Sequence, residues 1–565
     1  MRIAFLGLLL LAPATAGAAD AVSYGRDVRP ILAENCFDCH GQDPNRRQAD
    51  LRLDTEAGQR AEGIVVPGQP DESELLYRIL SDDDTERMPP PKSNRHLTPA
   101  QKETLRRWVA EGAPFEGHWA FRPPVRPPLP PGTGATHPID AFIRHRLAAE
   151  GLAPAAEADR IALIRRVTLD LTGLPPTAGE IGAFLNDAAP DAYERVVGRL
   201  LASPHYGERM ALPWLDAARY ADSNGFQQDG DTFQWLWRDW VVKALNANMP
   251  FDQFTVEQLA GDLLPNATPD QRLATAFNRN HLLNGEGGAI PEEQRFNILF
   301  DRVDTTATNW LGLTVACAQC HDHKFDPITQ RDYYSLLAAF NNVGESGTAP
   351  IIPARVRVAA PVLDLSTPEQ KATAATLDKV VADLRGALAG KRKLWEARVV
   401  ADGKYPDQDI RRLLLNTEDK AQGDRERAVA KHFEATVEPA LAGLVKAAEA
   451  EAREFRSETP QVMVMADDRP RPTHVLERGD YQKAKEPVGF ATPAFLPPLP
   501  ADAPRNRLGL ARWLVSPENP LTARVAVNRA WQTFFGTGLV KTSEDFGVQG
   551  DVPAHQDLLD WLAVE

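Results

Sequence analysis

Apolar residues recur at helical spacing along most of the chain, and prolines, glycines and two stretches of alternating pattern mark where the helices stop. Near the start, Tyr24, Val28, Ile31, Leu32 and Asn35 fall on one face of a short helix, all but the last apolar. "LTPAQKETLRRWVAEGA" (residues 97–113) predicts a helix with clear ends: Thr98 as N-cap, Pro99 in the first turn, Gln101 completing a capping box, Gly112 as stop. Its inner stripe is Leu105, Trp108 and Val109. In "ADRIALIRRVTLDLTGLPPT", Ile161, Ile164, Val167 and Leu171 share a face, and Gly173 and Pro175 end the run. Further helical patterns carry Val196, Leu200 and Leu201, then Trp214, Leu215 and Ala218, then two helices in residues 232–264. Later, Leu377, Val381, Leu384 and Leu388 make a narrow seam behind the Thr367 cap and Pro368, and residues 424–455 repeat the pattern. The pair predicts an antiparallel hairpin of coiled-coil type. "QVMVMADD" and "PTHVLERGDYQKAKEPVGFATP" alternate and predict short strands in one small sheet, with Arg478–Asp480 as a turn. Helical signals return in "RNRLGLARWLVS" and "VAVNRAWQTFF".

The expected fold is mainly α and multidomain, since 565 residues exceed what one core organises. Residues 1–18 read as a secretory signal peptide: Arg2, the apolar run "IAFLGLLLL", then Ala16-Gly17-Ala18 as the cleavage site, the mature chain beginning near Ala19 or Asp20. That apolar run is shorter than the roughly 20 residues of a membrane span, and no later stretch qualifies. The organisation expected after it is a compact domain (19–117), a Pro-rich, semi-rigid linker (118–138) and a larger helical domain (139–345). A connector (346–363), the helical hairpin (364–458), a small β segment (459–500) and the start of a C-terminal helical domain (501–565) follow. A net charge of −15 disfavours nucleic acid as a partner, because phosphate backbones are bound by clustered Lys and Arg.

All four cysteines fall into two C-x-x-C pairs, Cys36/Cys39 and Cys317/Cys320, each followed at once by a histidine, His40 and His321. Two thiols at this spacing can add to the two vinyl groups of one haem, and the next residue then coordinates the iron. At the first motif, Met88 in the proline-stiffened "RMPPPKS" is the expected opposite ligand, with His96 in competition. Helix, C-x-x-C-H, Met loop and terminal helix together predict a class I cytochrome c-like domain. At the second motif, "CAQCHDHKFDP", Asp322, His323 and Asp326 exceed what haem attachment requires. They could orient ligands, bind a hard metal, or cap the following turn. His281 in "FNRNHLLNGEGG" is the expected sixth ligand there, with His323 next. Glu286, Glu292 and Glu293 flank it as loop acids. A disulfide within either pair is the competing use of an exported C-x-x-C.

The stretches "VSYGRDVRPILAENCFDCHG" through "RRWVAEGAPFEGHWAF" resemble the planctomycete-type cytochrome c domain. "LIRRVTLDLTGLPPT", "SPHYGERMALPWLDAARYADSNGF", "NRNHLLNGEGG" and "CAQCHDHKFDPITQRDYY" are similar to the second, cytochrome-like domain of the same proteins. The final stretch from "NPLTARVAVNRAWQTFF" is similar to the start of their C-terminal domain of unknown function, and is expected to continue beyond Glu565. The resemblance implies exported proteins binding haem c, with haem carried on Cys36, Cys39 and His40, and on Cys317, Cys320 and His321.

The leading expectation is thus an exported diheme c-type cytochrome that passes electrons to redox partner proteins in the periplasm or at the cell surface. The alternatives are a diheme peroxidase-like oxidoreductase, with Glu286 or His323 as acid/base, and a cell-surface scaffold carrying one N-terminal haem. Electron transfer is placed ahead of enzymatic turnover. The hairpin is a candidate for protein docking.

Overall fold

The computed structural model describes residues 21–41, 43–44, 46–225, 229–348, 358–415 and 422–565. The signal-peptide expectation, residues 1–18, and the middle of the expected connector lie outside these residues. The fold is mainly α and multidomain, with two small antiparallel sheets among the described residues.

The N-terminal unit is built on Tyr24, Val28, Leu32, Leu105, Trp108 and Val109, all fully buried. Tyr24 packs with its ring centroid 5.6 Å from that of Trp108, and its hydroxyl accepts a 2.7 Å hydrogen bond from Gln59 Nε2. The capping box forms as the sequence indicates. Gln101 N–H donates to Thr98 Oγ1 (3.2 Å), and Thr98 N–H donates to Gln101 Oε1 (2.9 Å). The helix runs over Pro99–Ala110, and Gly112, with φ +97°, turns the chain away.

Among the described residues, most buried apolar side chains from Ala120 to Trp561 outside the hairpin share one core, beside two small satellites around Leu283 and Ile164. The stretches 139–345, 459–500 and 501–565 all contribute side chains to this core. Buried Arg507 joins their polar parts, donating to Asp262 and Asp467 (both 2.7 Å) and to Leu259 O (2.8 Å). The start of the Pro-rich stretch docks onto this body. The turn Trp119–Phe121 sets Phe121 at 4.8 Å from Phe495 and Trp119 at 5.6 Å from Phe546. Arg524 Nη1 donates to Arg122 O at 2.6 Å.

Helix Arg160–Thr172 ends at Gly173 in the left-handed region (φ +72°), yet its buried face differs from the expected stripe. Ile161 is 52% exposed, while Thr168 is buried beside Ile164 and Leu171. Thr168 tolerates burial because its hydroxyl donates back to Ile164 O at 2.7 Å. The satellite core there is only Ile164, Phe184 and Ala192, too small to cover a wider stripe.

The hairpin is present as Pro368–Asp402 beside Pro439–Glu458. Leu377, Val381, Leu384 and Leu388 are half-buried and form its seam. Ion pairs Asp378–Arg456, Arg385–Glu449 (2.6 Å) and Lys391–Glu438 (2.8 Å) run in opposite order along the two helices, which makes them antiparallel. The expected single small sheet is two separate ribbons. Val362–Asp364 pairs with Gln461–Met463 across the two ends of the hairpin, and Thr473–Leu476 pairs with Ala484–Val488. The first ribbon needs a partner on the far side of the hairpin, so alternation within 459–500 could not reveal it.

Candidate haem-attachment sites

Helix Arg29–Asn35 leads into the first motif, and Cys36 N–H donates to Leu32 O at 2.8 Å. Cys36 then caps the single turn Phe37–His40, so both sulfurs and the imidazole project from two successive helical pieces. The Cys36 thiol is pushed up to about 12 by burial, whereas Cys39 is exposed. No disulfide joins any of the four cysteines.

His40 is half-buried and its buried Nδ1 has no hydrogen-bond partner. Burial holds it below the usual histidine range, so the ring keeps a lone pair for a metal at neutral pH. Met88 is half-buried, its N–H donating to Arg78 O at 3.0 Å beyond helix Glu74–Leu80. The proline loop that follows returns to the motif, because Arg95 Nη2 donates to Asp38 Oδ2 at 3.1 Å. His96 is exposed. Paired thiols, a neutral imidazole with an orphaned nitrogen, and a methionine loop tied back to the motif fit a haem c at this place.

The second motif has a different local build. Cys317 lies on the 3₁₀ turn Ala316–Gln319, and Cys317, Cys320 and His321 are all exposed. Cys320 Sγ donates to Arg478 O at 3.3 Å, against the Glu477–Gly479 turn. The RGD stretch is thus a turn, and it is seated on the motif. His321 Nδ1 lies 2.7 Å from Asp322 O. A carbonyl only accepts, so Nδ1 carries a proton, which leaves Nε2 as the nitrogen a metal would take.

The additional acids have structural partners. Asp322 Oδ1 accepts from Gln330 N–H at 2.7 Å, at the start of helix Gln330–Leu337. Asp326 is buried and its Oδ1 accepts from Val548 N–H at 2.8 Å, which ties the motif loop to the C-terminal segment. Asp326 N–H in turn donates to His323 Nδ1 at 2.8 Å. Burial holds His323 below its ordinary range, against the pull of Asp326 and Asp545. Among the described residues, no group of three or more His, Cys, Asp or Glu side chains is arranged to hold a metal ion.

The loop is also the contact to the first unit. Phe325 and Val548 pack on the N-terminal core, and the buried Arg29 directs Nη2 toward Phe325 O at 3.4 Å. Asp322, next to His321, is within electrostatic reach of Asp43 and Arg52, which flank the first motif on its C-terminal side. Phe325, Val548 and Arg29 gave no local signal, because each acts across a contact hundreds of residues long in sequence.

His281 has other company. Its side chain is 5% exposed and neighbours Arg302, Arg279 and Glu345, while Cys320 lies against Arg478, Gly479 and Tyr334. Glu286 is half-buried, its N–H donating to Asn284 Oδ1 at 2.9 Å, and Glu292 pairs with Arg295 at 2.6 Å. Aromatic residues of the large body pack on one another: Trp214 sits 5.3 Å from both Phe254 and Trp310, and Phe277 5.1 Å from Trp310.

Three family matches fall on these units. Residues 36–92 match Planctomycete cytochrome C, residues 138–345 match a protein family of unknown function, DUF1549, and residues 506–565 match another, DUF1553. No curated protein and no solved structure matches the chain. The first match makes the N-terminal unit that of a c-type cytochrome, with haem c as its cofactor at the Cys36–Cys39 pair. The chain is a planctomycete-type cytochrome c domain protein, its cytochrome unit followed by the two families of unknown function in the order its sequence motifs indicate.

Proposed function

We propose that this protein is an exported electron-transfer cytochrome carrying two covalent haems, one on Cys36, Cys39 and His40 with Met88 opposite, the other on Cys317, Cys320 and His321. The observation that carries the reading is the docking of the second motif's loop on the cytochrome unit, through Phe325 and Arg29, with Asp322 within electrostatic reach of Arg52. A haem on the exposed Cys317–His321 turn would lie at the boundary between the two units, where electrons can pass from one centre to the other and on to a redox partner protein. Haem supplies reversible one-electron chemistry; the chain supplies thioether attachment, an imidazole at each motif, and a fixed relative position.

Export is supported by the N-terminal signal pattern, and places the protein in the periplasm or at the cell surface. No helix of the described residues is long and apolar enough to cross a membrane. The hairpin stands off the body with a largely solvated surface and serves as spacer or docking arm.

The test is a count of covalent haems by intact mass after expression in a host with haem c maturation. Two haems are expected, falling to one in Cys317→Ser/Cys320→Ser and to one in Cys36→Ser/Cys39→Ser. A wild-type chain with a single haem, unaffected by the Cys317→Ser/Cys320→Ser change, would refute the diheme reading.

A further inference from the structure

A cleft of about 1180 Å³ opens in the large body between helix Pro204–Ala217, helix Thr522–Phe535 and residues 541–545. Hydrogen bonds fix these elements to one another. Asn309 Nδ2 donates to Ala217 O at 2.9 Å, and Arg529 Nη2 donates to Asn309 Oδ1 at 3.3 Å. Ser543 Oγ donates to Gln532 Oε1 at 2.7 Å and accepts from Asn528 Nδ2 at 3.1 Å. The apolar lining is Met210, Leu212, Trp214, Met249 and Phe251, with Phe534 from the second helix. Trp214 is fastened by Nε1 to Gln258 Oε1 at 2.9 Å and meets the Phe251 ring edge-on at 6.5 Å. Leu212, Phe251 and Phe534 nevertheless remain 53%, 40% and 40% exposed. Clustered apolar side chains left open in a cleft mark a place for another molecule.

Three cations and three carboxylates line the same cleft, so its net charge decides nothing about that molecule. Burial and pairing do. Asp216, Glu544 and Lys541 are exposed, where solvent screens them. Asp545 is half-buried and already accepts from Gly547 N–H at 2.9 Å, and Arg209 is half-buried with its Cδ near Gly173. Arg529 differs. Its Nε is buried without a partner, and its Nη2 is met only by neutral oxygens, Thr308 O and Asn309 Oδ1, both at 3.3 Å. Arg279, Arg295, Arg302, Arg507 and Arg524, the buried arginines of this body, each have a carboxylate within 3.0 Å. Among the described residues Arg529 has only the electrostatic influence of Glu544, and burial outweighs it, drawing the guanidinium below its ordinary value while leaving it charged.

A partly desolvated cation without a counter-charge costs stability, and an anion seated beside it removes that cost. One unmatched positive charge calls for one negative charge, and the lining beside it calls for an apolar body. Met210 and Met249 are side chains that adapt to a flexible chain. We propose that this cleft binds a free aliphatic carboxylate, its head on Arg529 and its chain along the wall from Met210 to Phe251. The site uses neither C-x-x-C-H motif and stands whether the chain carries one haem or two.

The test is isothermal titration calorimetry of the intact chain with dodecanoate below its micelle concentration. Binding of one dodecanoate per chain is expected. Dodecyltrimethylammonium, with the same chain and the opposite charge, and acetate, a head without the chain, should each bind at least about tenfold more weakly. Arg529→Gln should weaken dodecanoate about tenfold or more. Because Arg529 also ties Thr308 and Asn309, Leu212→Glu supplies a second reading at an exposed position. It sets a like charge in the cleft and should weaken dodecanoate to a similar degree with the melting temperature unchanged. Leu152→Glu, also exposed but outside the cleft, should change neither. Absence of dodecanoate binding, equal affinity for dodecyltrimethylammonium, or binding that survives Arg529→Gln or Leu212→Glu overturns the proposal. Equal losses in Leu152→Glu and Leu212→Glu would mark general adsorption to exposed apolar side chains, and also overturn it.

Discussion

Glu345→Gln tests the electrostatic centre of the large body. The Glu345 carboxylate accepts from Arg302 Nη1 (2.5 Å), Arg302 Nη2 (2.8 Å) and Arg279 Nη1 (3.0 Å), and the three side chains are 2%, 0% and 1% exposed. Burial alone pushes the Glu345 carboxyl up, but Arg302 and then Arg279 outweigh it and leave it at about 2. Burial draws Arg279 down to about 10, so it too stays charged at neutral pH. At about 1.4 kcal/mol per pH unit, a carboxyl held at about 2 in place of an ordinary 4.5 contributes about 3 kcal/mol. Because the folded state holds the carboxylate more tightly deprotonated, that contribution is complete above the unfolded value and is lost as pH falls toward the folded one. Removing the charge leaves two buried guanidinium groups uncompensated, and the expected cost is about 3–5 kcal/mol. Urea unfolding followed by tryptophan fluorescence, at pH 7 and at stepped values down to pH 3, reads both numbers. The gap between wild type and variant should be largest at pH 7 and should narrow below the ordinary carboxyl range. A gap under about 1 kcal/mol at pH 7, or one that does not change with pH, refutes the reasoning.

Two other outcomes follow from single residues. Phe325→Ala removes a half-buried ring from the N-terminal core and should weaken the contact between the units by roughly 2 kcal/mol, about half the cost of truncating a fully buried phenylalanine. Small-angle scattering should then show an expanded chain with unchanged helix content; an unaltered radius of gyration would mean that the units are held by other contacts. His118 is buried against Trp119 and Phe121, and burial, with Arg29, Arg122 and Arg524 nearby, holds it down to about 3. The unfolded chain takes up that proton near pH 6.5 and the folded chain does not, so His118 costs stability as pH falls between these values, at up to about 1.4 kcal/mol per pH unit. His118→Phe should flatten the acid limb of the stability profile by that slope, measured by denaturant midpoints from pH 7 to pH 4.

What was legible in the sequence was whatever depends on neighbours a few residues away. The Thr98 capping box, the Gly173 stop and the seam of the hairpin each follow from spacing within one turn or one helix, and each is present. The same holds for the order of motif and helix around Cys36. What was not legible needed partners remote in sequence. The ribbon Val362–Asp364 with Gln461–Met463 closes across the whole hairpin, and the shared core from Ala120 to Trp561 draws on stretches that local pattern separates. His281 illustrates the limit: its burial beside Arg279, Arg302 and Glu345 is set by helices that sequence spacing does not position.

The residues after the second motif make the same point about function. Asp322, His323 and Asp326 have the chemistry of a metal site, yet each is engaged in joining elements: Asp322 to the start of the next helix, His323 to Asp326 N–H, Asp326 to Val548 N–H. Gly547 is crowded so closely by the Asp326 carboxylate that a Cβ there would sit 2.4 Å from Oδ2, which leaves that position to glycine. A loop that fixes the Cys317–His321 turn at a boundary between units needs its backbone N–H groups met and its ends held, and carboxylates meet both needs. The aspartates therefore work as fasteners of the Cys317–His321 turn. That role explains why they follow this motif, which hangs on a 3₁₀ turn, and are not needed at Cys36, where two helical pieces already hold the thiols in place.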